Sequence, residues 1–182
     1  MTLDIVSITE EYIPGFRAAV DAVARERKYL GFIEAPPVEQ TRVFVRDLLA
    51  NGGVQLVAVT DVDSVVGWCD VARVPWEGLR HVGRMGMGLL PPYRGQGYGL
   101  RLAKAAIEAA HGVGIERIEL EVFASNLPAI RLYEKLGFQH EGVKRRFRKL
   151  DGAYDDNVIM ALVSYAASQD GVRQHATDRP PG

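Results

Sequence analysis

The chain's apolar patterns predict a mixed α/β domain, with a central, mostly antiparallel sheet, one β-α-β crossover in its middle and helices on both faces. Three observations carry this expectation. The Val- and Leu-rich runs 55–60, 64–74 and 81–90 follow one another across short polar breaks, as strands of a meander do. A Gly-rich turn then opens a helical stripe that leads straight into another strand-like run, 117–124, which is the pattern of a crossover. Finally, two β-rich segments flank Asp151-Gly152, a two-residue hairpin turn.

Taken in order, residues 3–8 alternate as a first strand. A helix follows over 13–28, with Pro14 tolerated in its first turn. Pro36-Pro37 marks a loop, and 38–50 predicts a second helix from the spacing of Val43, Phe44, Leu48 and Leu49, stopped by Asn51-Gly52-Gly53. The turn Asp61-Val62-Asp63 joins the first two strands of the meander. In the helix 100–111, Leu102, Ala103, Ala106, Ile107 and Ala110 form the inward stripe, while Lys104 and Glu108 face water. A short helix over 128–136 ends at Gly137, with Phe138 packed behind it. The closing hairpin pairs 141–149 with 154–163.

The chain has 182 residues, room for one domain over 1–165, and the polar stretch 166–182 predicts a disordered tail. Lys and Arg number 22 against 23 Asp and Glu, a net charge of −1, so no field is present that would hold nucleic acid or an anionic membrane. A small-molecule or peptide substrate fits that balance better. Cys69 is the sole cysteine, which excludes an internal disulfide and points to a reducing, cytoplasmic setting. No apolar run is long enough to span a bilayer, and the first residues do not form a signal peptide. The four histidines are scattered without ligand spacing, so no metal is expected.

The segment Pro91-Pro92-Tyr93-Arg94-Gly95-Gln96-Gly97-Tyr98-Gly99 sits between a strand and a helix. Helix N-termini carry unpaired N–H groups and the positive end of the dipole, and glycines let an anion approach the backbone. Arg94 adds a charged fork at the entrance. The G-x-G-x-x-G pattern fails because Leu100 stands where its third glycine belongs, and no Walker Gly-Lys-Ser/Thr occurs. From these residues alone, either an anion site or merely a tight strand-to-helix turn would explain the glycines.

Two motifs at the right separation resemble those of the GNAT superfamily of N-acetyltransferases. Arg94-Gly95-Gln96-Gly97-Tyr98-Gly99 resembles its coenzyme A loop, R/Q-x-x-G-x-G/A. The run from Leu120-Glu121-Val122 through Asn126, Ala129, Leu132-Tyr133 and Gly137-Phe138 resembles its second signature, L-E-V-x-x-x-N-x-x-A-x-x-L-Y-x-x-x-G-F. The likeness extends from about His81 to Val163, and its last hairpin resembles those of amino-acid N-acyltransferases and ribosomal-protein alanine N-acetyltransferases. It implies the GNAT fold and an enzyme that moves the acetyl group of acetyl-CoA to a primary amine by direct attack in a ternary complex. An amino acid or amino-acid-like acceptor is favoured, with a protein N-terminus or a non-catalytic coenzyme A sensor as alternatives. Homodimers are frequent among such enzymes, so two copies are an open state.

The same resemblance implies roles for single residues. Backbone N–H groups of Gly95, Gln96, Gly97, Tyr98 and Gly99 would cradle the pyrophosphate. The pantetheine arm would pair with backbone at Met87, Gly88 and Leu89, in a gap where two strands splay, and Asn126 would touch that arm or cap the next helix. Tyr133 matches the family's acid for the departing sulfur; its bland alternative is a core tyrosine. Glu121, twelve residues ahead of it, matches the base used by alanine N-acetyltransferases. A carboxylate in a strand covered by helices needs a reason, although pairing with a nearby Lys or Arg would also explain it. The strand before the Gly-rich loop departs from the family pattern, having no carboxylate between His81 and Gly88. Arg84 there could meet an acceptor carboxylate or simply face solvent. The basic residues Lys144, Arg145, Arg146, Arg148 and Lys149 read as a solvated strand face, or as a group that attracts the cofactor's phosphates or an acidic acceptor, and Tyr29, Phe32, Trp68 and Trp76 as core or as lining of an acceptor pocket.

Overall fold

Seven strands hydrogen-bond into one sheet, in the order β1-β2-β3-β4-β5-β7-β6. In the computed structural model, which describes residues 3–62 and 64–164, they are β1 (Asp4–Ser7), β2 (Val54–Val59), β3 (Val65–Arg73), β4 (Val82–Leu89), β5 (Arg117–Phe123), β6 (Gln139–Leu150) and β7 (Ala153–Val163). The helices are α1 (Ile13–Arg25), α2 (Val38–Ala50), α3 (Tyr98–Gly112) and α4 (Leu127–Lys135). The expected element order is met throughout. The tail 166–182 lies outside the described residues.

Every neighbouring pair of strands is antiparallel except β4 and β5, which α3 joins by the crossover. That parallel pair has three rungs only, from Val82↔Arg117 to Arg84↔Glu119, although β4 runs on to Leu89 and β5 to Phe123. Past Arg84 and Glu119 the two strands part.

Each face of the sheet has its own core. On one, the predicted α3 stripe of Leu102, Ala106, Ile107 and Ala110 packs with Cys69, Val71, Met85, Ile118, Leu120 and Met160, and α4 adds Tyr133. On the other, α1 lays Phe16, Ala19, Val20 and Val23 against Val57, Val59, Val65 and Trp68. Period-two alternation explains the division, since β5 turns Ile118, Leu120 and Val122 into the α3 core and Glu119 and Glu121 the other way.

Three expectations need correction. In α2 the buried stripe is Thr41, Val45 and Leu48, whereas Val43, Phe44 and Leu49 are about half exposed. Apolar residues lie on two sides of that helix, and packing chose the i, i+4, i+7 set. Helix α1 ends at Arg25, short of Lys28, because Arg27 takes a left-handed φ of 59° and its guanidinium pairs with Asp151. Glu121 is not covered by helices: α1 and α2 pack against β2, β3 and β4, leaving Glu121 exposed. A helix-covered strand therefore does not explain its carboxylate.

Strand β4 depends on glycine for close packing. A Cβ on Gly88 would lie 2.3 Å from the Trp68 ring, which is itself buried against Phe16. Gly88→Ala is expected to lose about 1–3 kcal/mol through this overpacking, read as a lower midpoint in urea denaturation. A midpoint equal to that of the parent would show that Trp68 can move aside.

Candidate active site

Strand β4 passes through Leu90 and one 3-10 turn (Pro91–Tyr93) into Arg94–Gly97, and α3 starts at Tyr98. Gly95 and Gly97 have φ of +72° and +83°, a region where other residues are strained. Gly97 is the N-cap of α3 and, having no side chain, offers the helix no side-chain cap of its own. The exposed turn at 95–97 thus brings backbone N–H groups and the positive dipole end to the surface. These residues fit an anionic group of the diphosphate kind.

Arg94 does not hold its fork at the entrance. Its guanidinium donates to both carboxylate oxygens of Glu26, at 2.8 and 2.5 Å, and to the Leu89 carbonyl at 2.8 Å. It also lies over the Tyr29 ring, 4.9 Å from the centroid. Bonding to Glu26 raises its already high pKa. Its visible work is to clamp the Gly-rich turn to the end of α1 and to the end of β4.

Met87, Gly88 and Leu89 pair with Cys69, Trp68 and Gly67 of β3 along one edge. Their other edge lies beyond the last rung to β5 and faces the gap. At the end of β5, Asn126 caps α4 through Oδ1, which accepts from the Ala129 N–H at 3.4 Å. Asn126 also lines a cavity of about 400 Å³ with Lys28, Tyr29, Ser125, Pro128 and Arg148. Arg148 donates to the carbonyls of Arg27 and Lys28, pairs with Asp155 and stacks over Phe123 at 4.1 Å. The sequence reading missed Lys28 and Ser125 and took Arg148 only as one member of a basic run. A basic run on an edge strand gave no sign that one member turns inward.

Tyr133 is 7% exposed, its ring centroid 5.8 Å from that of Phe138, in the same core as Cys69 and Val122. Burial pushes its phenol well above the ordinary value, with Cys69 adding to the effect. It therefore keeps its proton at neutral pH. Glu121 is on the opposite face, where Lys144 and Asn157 donate to its two oxygens at 2.5 Å each. The sheet stands between the two candidates, and the pairing of β4 with β5 ends at Arg84 and Glu119, two residues before Glu121. Of the aromatic candidates, Tyr29 lines the cavity, Trp68 is core, and Phe32 and Trp76 are exposed. Arg84 and His81 are exposed as well. Among the described residues no cluster of three metal-ligating side chains occurs.

Asp70 went unnoticed in the sequence. It sits half-buried in β3, and burial pushes its carboxyl up to about 7.

The chain is similar to known N-acetyltransferases in sequence and to solved acetyltransferases in fold. It is 38% identical over 80 residues to the uncharacterized N-acetyltransferase YycN of Bacillus subtilis, a match covering 44% of this chain and 51% of the relative. It thus spans about half of that relative's length. It is 37% identical over 110 residues to the L-amino acid N-acetyltransferase AaaT of Escherichia coli, covering 60% and 67% of the two chains. A phosphinothricin acetyltransferase from Sinorhizobium meliloti, solved in complex with AcCoA, superposes with a TM-score of 0.85 at 15% identity, over 96% of this chain and 95% of that one; this is a likeness of fold. Residues 13–138, more than half of the chain, match the family described as the Acetyltransferase (GNAT) family, and the chain belongs to it.

Proposed function

We propose that this chain transfers an acetyl group from acetyl-CoA to the primary amine of an amino acid or amino-acid-like small molecule, by direct attack in a ternary complex. The observation that carries the reading is the uncapped start of α3, which opens beside a gap in the sheet. The N–H groups of 95–99 would bind the diphosphate, and the β5-side edge of Met87–Leu89, where Arg94 already holds the Leu89 carbonyl, the pantetheine arm, with Asn126 alongside. Acetyl-CoA supplies an activated thioester carbonyl, and a backbone N–H of that edge is suited to bind its developing oxyanion. The name of the Escherichia coli relative favours an amino-acid acceptor.

Two proton movements remain. An alkyl ammonium with a pKa of ~10.4 must lose a proton, which at pH 7 costs about 4–5 kcal/mol at ~1.36 kcal/mol per unit. The departing sulfur must gain one. Tyr133 suits the second task because burial keeps its hydroxyl protonated. Glu121, joined to Lys144 and Asn157, forms a polar wall on the acceptor side and is the residue that the family motif offers for the proton-accepting role.

Tyr133→Phe is expected to lower kcat about 10²-fold while the acetyl-CoA Kd from calorimetry stays within about threefold; a parental kcat across the pH range would remove Tyr133 from the chemistry. Because its hydroxyl titrates only above the ordinary phenol range, no falling limb should arise from it up to pH ~10. Gly97→Val, which forces a branched residue to φ +83°, is expected to abolish acetyl-CoA binding in the same calorimetric assay. Free-thiol release with L-amino acids, spermidine and short peptides as acceptors tests the substrate class. Tight binding with no turnover on any of them would favour a coenzyme A-binding module.

A further inference from the structure

Strand β4 has no carboxylate to offer, but its neighbour does. Gln55 on β2 is the register partner of Asp70 on β3, and Asp70 is the partner of Gly86 on β4. Directly opposed residues of antiparallel strands share a face, so the three form one row. Two residues past the last rung, Arg84↔Glu119, β4 reaches Gly86 and β5 reaches Glu121. The row therefore arrives at the mouth of the gap, with Glu121 on its far side.

Two observations single out this row. The Asp70 carboxyl lies over Gly86, its atoms 3.4–3.7 Å from where a Cβ of residue 86 would stand. A larger side chain there would come between the carboxyl and the gap. Behind it, Gln55 is 2% exposed, and neither its amide nitrogen nor its oxygen has a hydrogen-bond partner among the described residues. Natural proteins rarely bury an amide in that way unless a polar occupant belongs beside it.

We propose that Asp70 is the proton acceptor of the transfer, its carboxylate taking the proton of the acceptor's ammonium at the β4–β5 gap, across the bare Cα of Gly86. The inference rests on the acetyl-transfer reading given above. The acceptor's N–H proton goes to an Asp70 oxygen, and the freed lone pair forms the C–N bond to the acetyl carbon. The C–S bond breaks with its electron pair on sulfur, which takes the Tyr133 proton. Asp70 passes this proton to solvent and then takes the second one from the nitrogen, which becomes a neutral amide; of the two protons that leave through Asp70, one in balance reprotonates Tyr133 and the other is released with the products.

Asp70 is better suited to this than Glu121, which is exposed and already held by an ammonium. Burial without a countercharge brings the Asp70 carboxyl close to neutrality, opposed only by a bond from its own backbone N–H. The groups facing it are Trp68 and Ala72 on its own strand, Gln55 on β2, and Gly86 and Gly88 on β4. The charged Arg84, two places along β4, is exposed. On the helices, Asp21 and Arg25 of α1 pair with each other, and Arg42 of α2 pairs with Glu10 and Glu39. Cys69, its chain neighbour, is fully buried and held as the thiol, in part by Asp70.

The test uses the full chain, acetyl-CoA and a mixture of the proteinogenic L-amino acids, with free thiol as readout. The parent is expected to show a rising limb centred near pH 7. Asp70→Asn should lose that limb and about 10²–10³-fold of the rate above it, with the acetyl-CoA Kd unchanged. A folding defect is distinguished by thermal melts. Since the folded state raises the Asp70 pKa, its neutral form is the stabilising one, and the parent loses stability as pH rises through about 7. Asp70→Asn should therefore melt no lower than the parent above that pH. Independently of any variant, infrared spectra of ¹³C-aspartate-labelled parent should show one carboxyl protonated up to near neutrality. A full rate in Asp70→Asn, a limb abolished by Glu121→Gln alone, or aspartates that all titrate in the ordinary carboxylate range would each overturn this inference and leave the acetyl-transfer reading standing. A parent that binds acetyl-CoA but acetylates nothing in the mixture would overturn both.

Discussion

The parting of β4 from β5 governs the rest of the molecule. Three parallel rungs hold the pair together and then pairing stops, although both strands continue. Unpaired strand edges are costly in a sheet interior, because each exposed N–H and C=O seeks a partner. A fold that leaves such an edge open in its centre is shaped to receive an extended ligand. In the proposed reading the opening also lets groups on opposite faces of the sheet approach one reaction centre, which an intact sheet would prevent.

The other features keep that opening in place. Helix α3, buried along its whole inner stripe, sets its uncapped start at the end of β4. The Arg94–Glu26 pair, with the bond from Arg94 to the Leu89 carbonyl, ties the turn to both α1 and β4. Glycine at 88 lets Trp68 pack flat against β4 from the α1 side. The wall of the opening is therefore held on one side by core packing. On the other it is built of ion pairs: Arg148 with Asp155, and Lys144 with Glu121.

Burial and pairing give three ionisable groups different characters. Tyr133 is buried in the α3-side core and keeps its proton. Asp70 is half-buried, and loss of hydration without a countercharge moves its carboxyl toward neutrality. Glu121 has both water and Lys144, the usual setting of a surface carboxylate. Residue type is a poor guide to such differences, because desolvation depends on which elements close over a side chain.

Much of the fold was legible because it follows local rules. The α3 stripe, the Asp151-Gly152 turn, the left-handed Gly137 and the alternation of β5 are written in periods of 3.6 and 2 and in turn chemistry. The motif around Gly95–Gly99 and the one from Leu120 to Phe138 identified the family from the sequence alone, as the match over 13–138 bears out. Tertiary structure decided what depends on partners far away in the chain. It spent the Arg94 fork on Glu26, turned Arg148 into a cavity that a basic run would not suggest, and left Val43 and Phe44 outside α2's buried stripe. It also set Asp70 over Gly86, sixteen positions on, between Gln55 and the gap. Periodicity reports which way a side chain points along its own element, whereas a carboxylate's proton affinity and an arginine's partner depend on distances that only the assembled sheet brings into being.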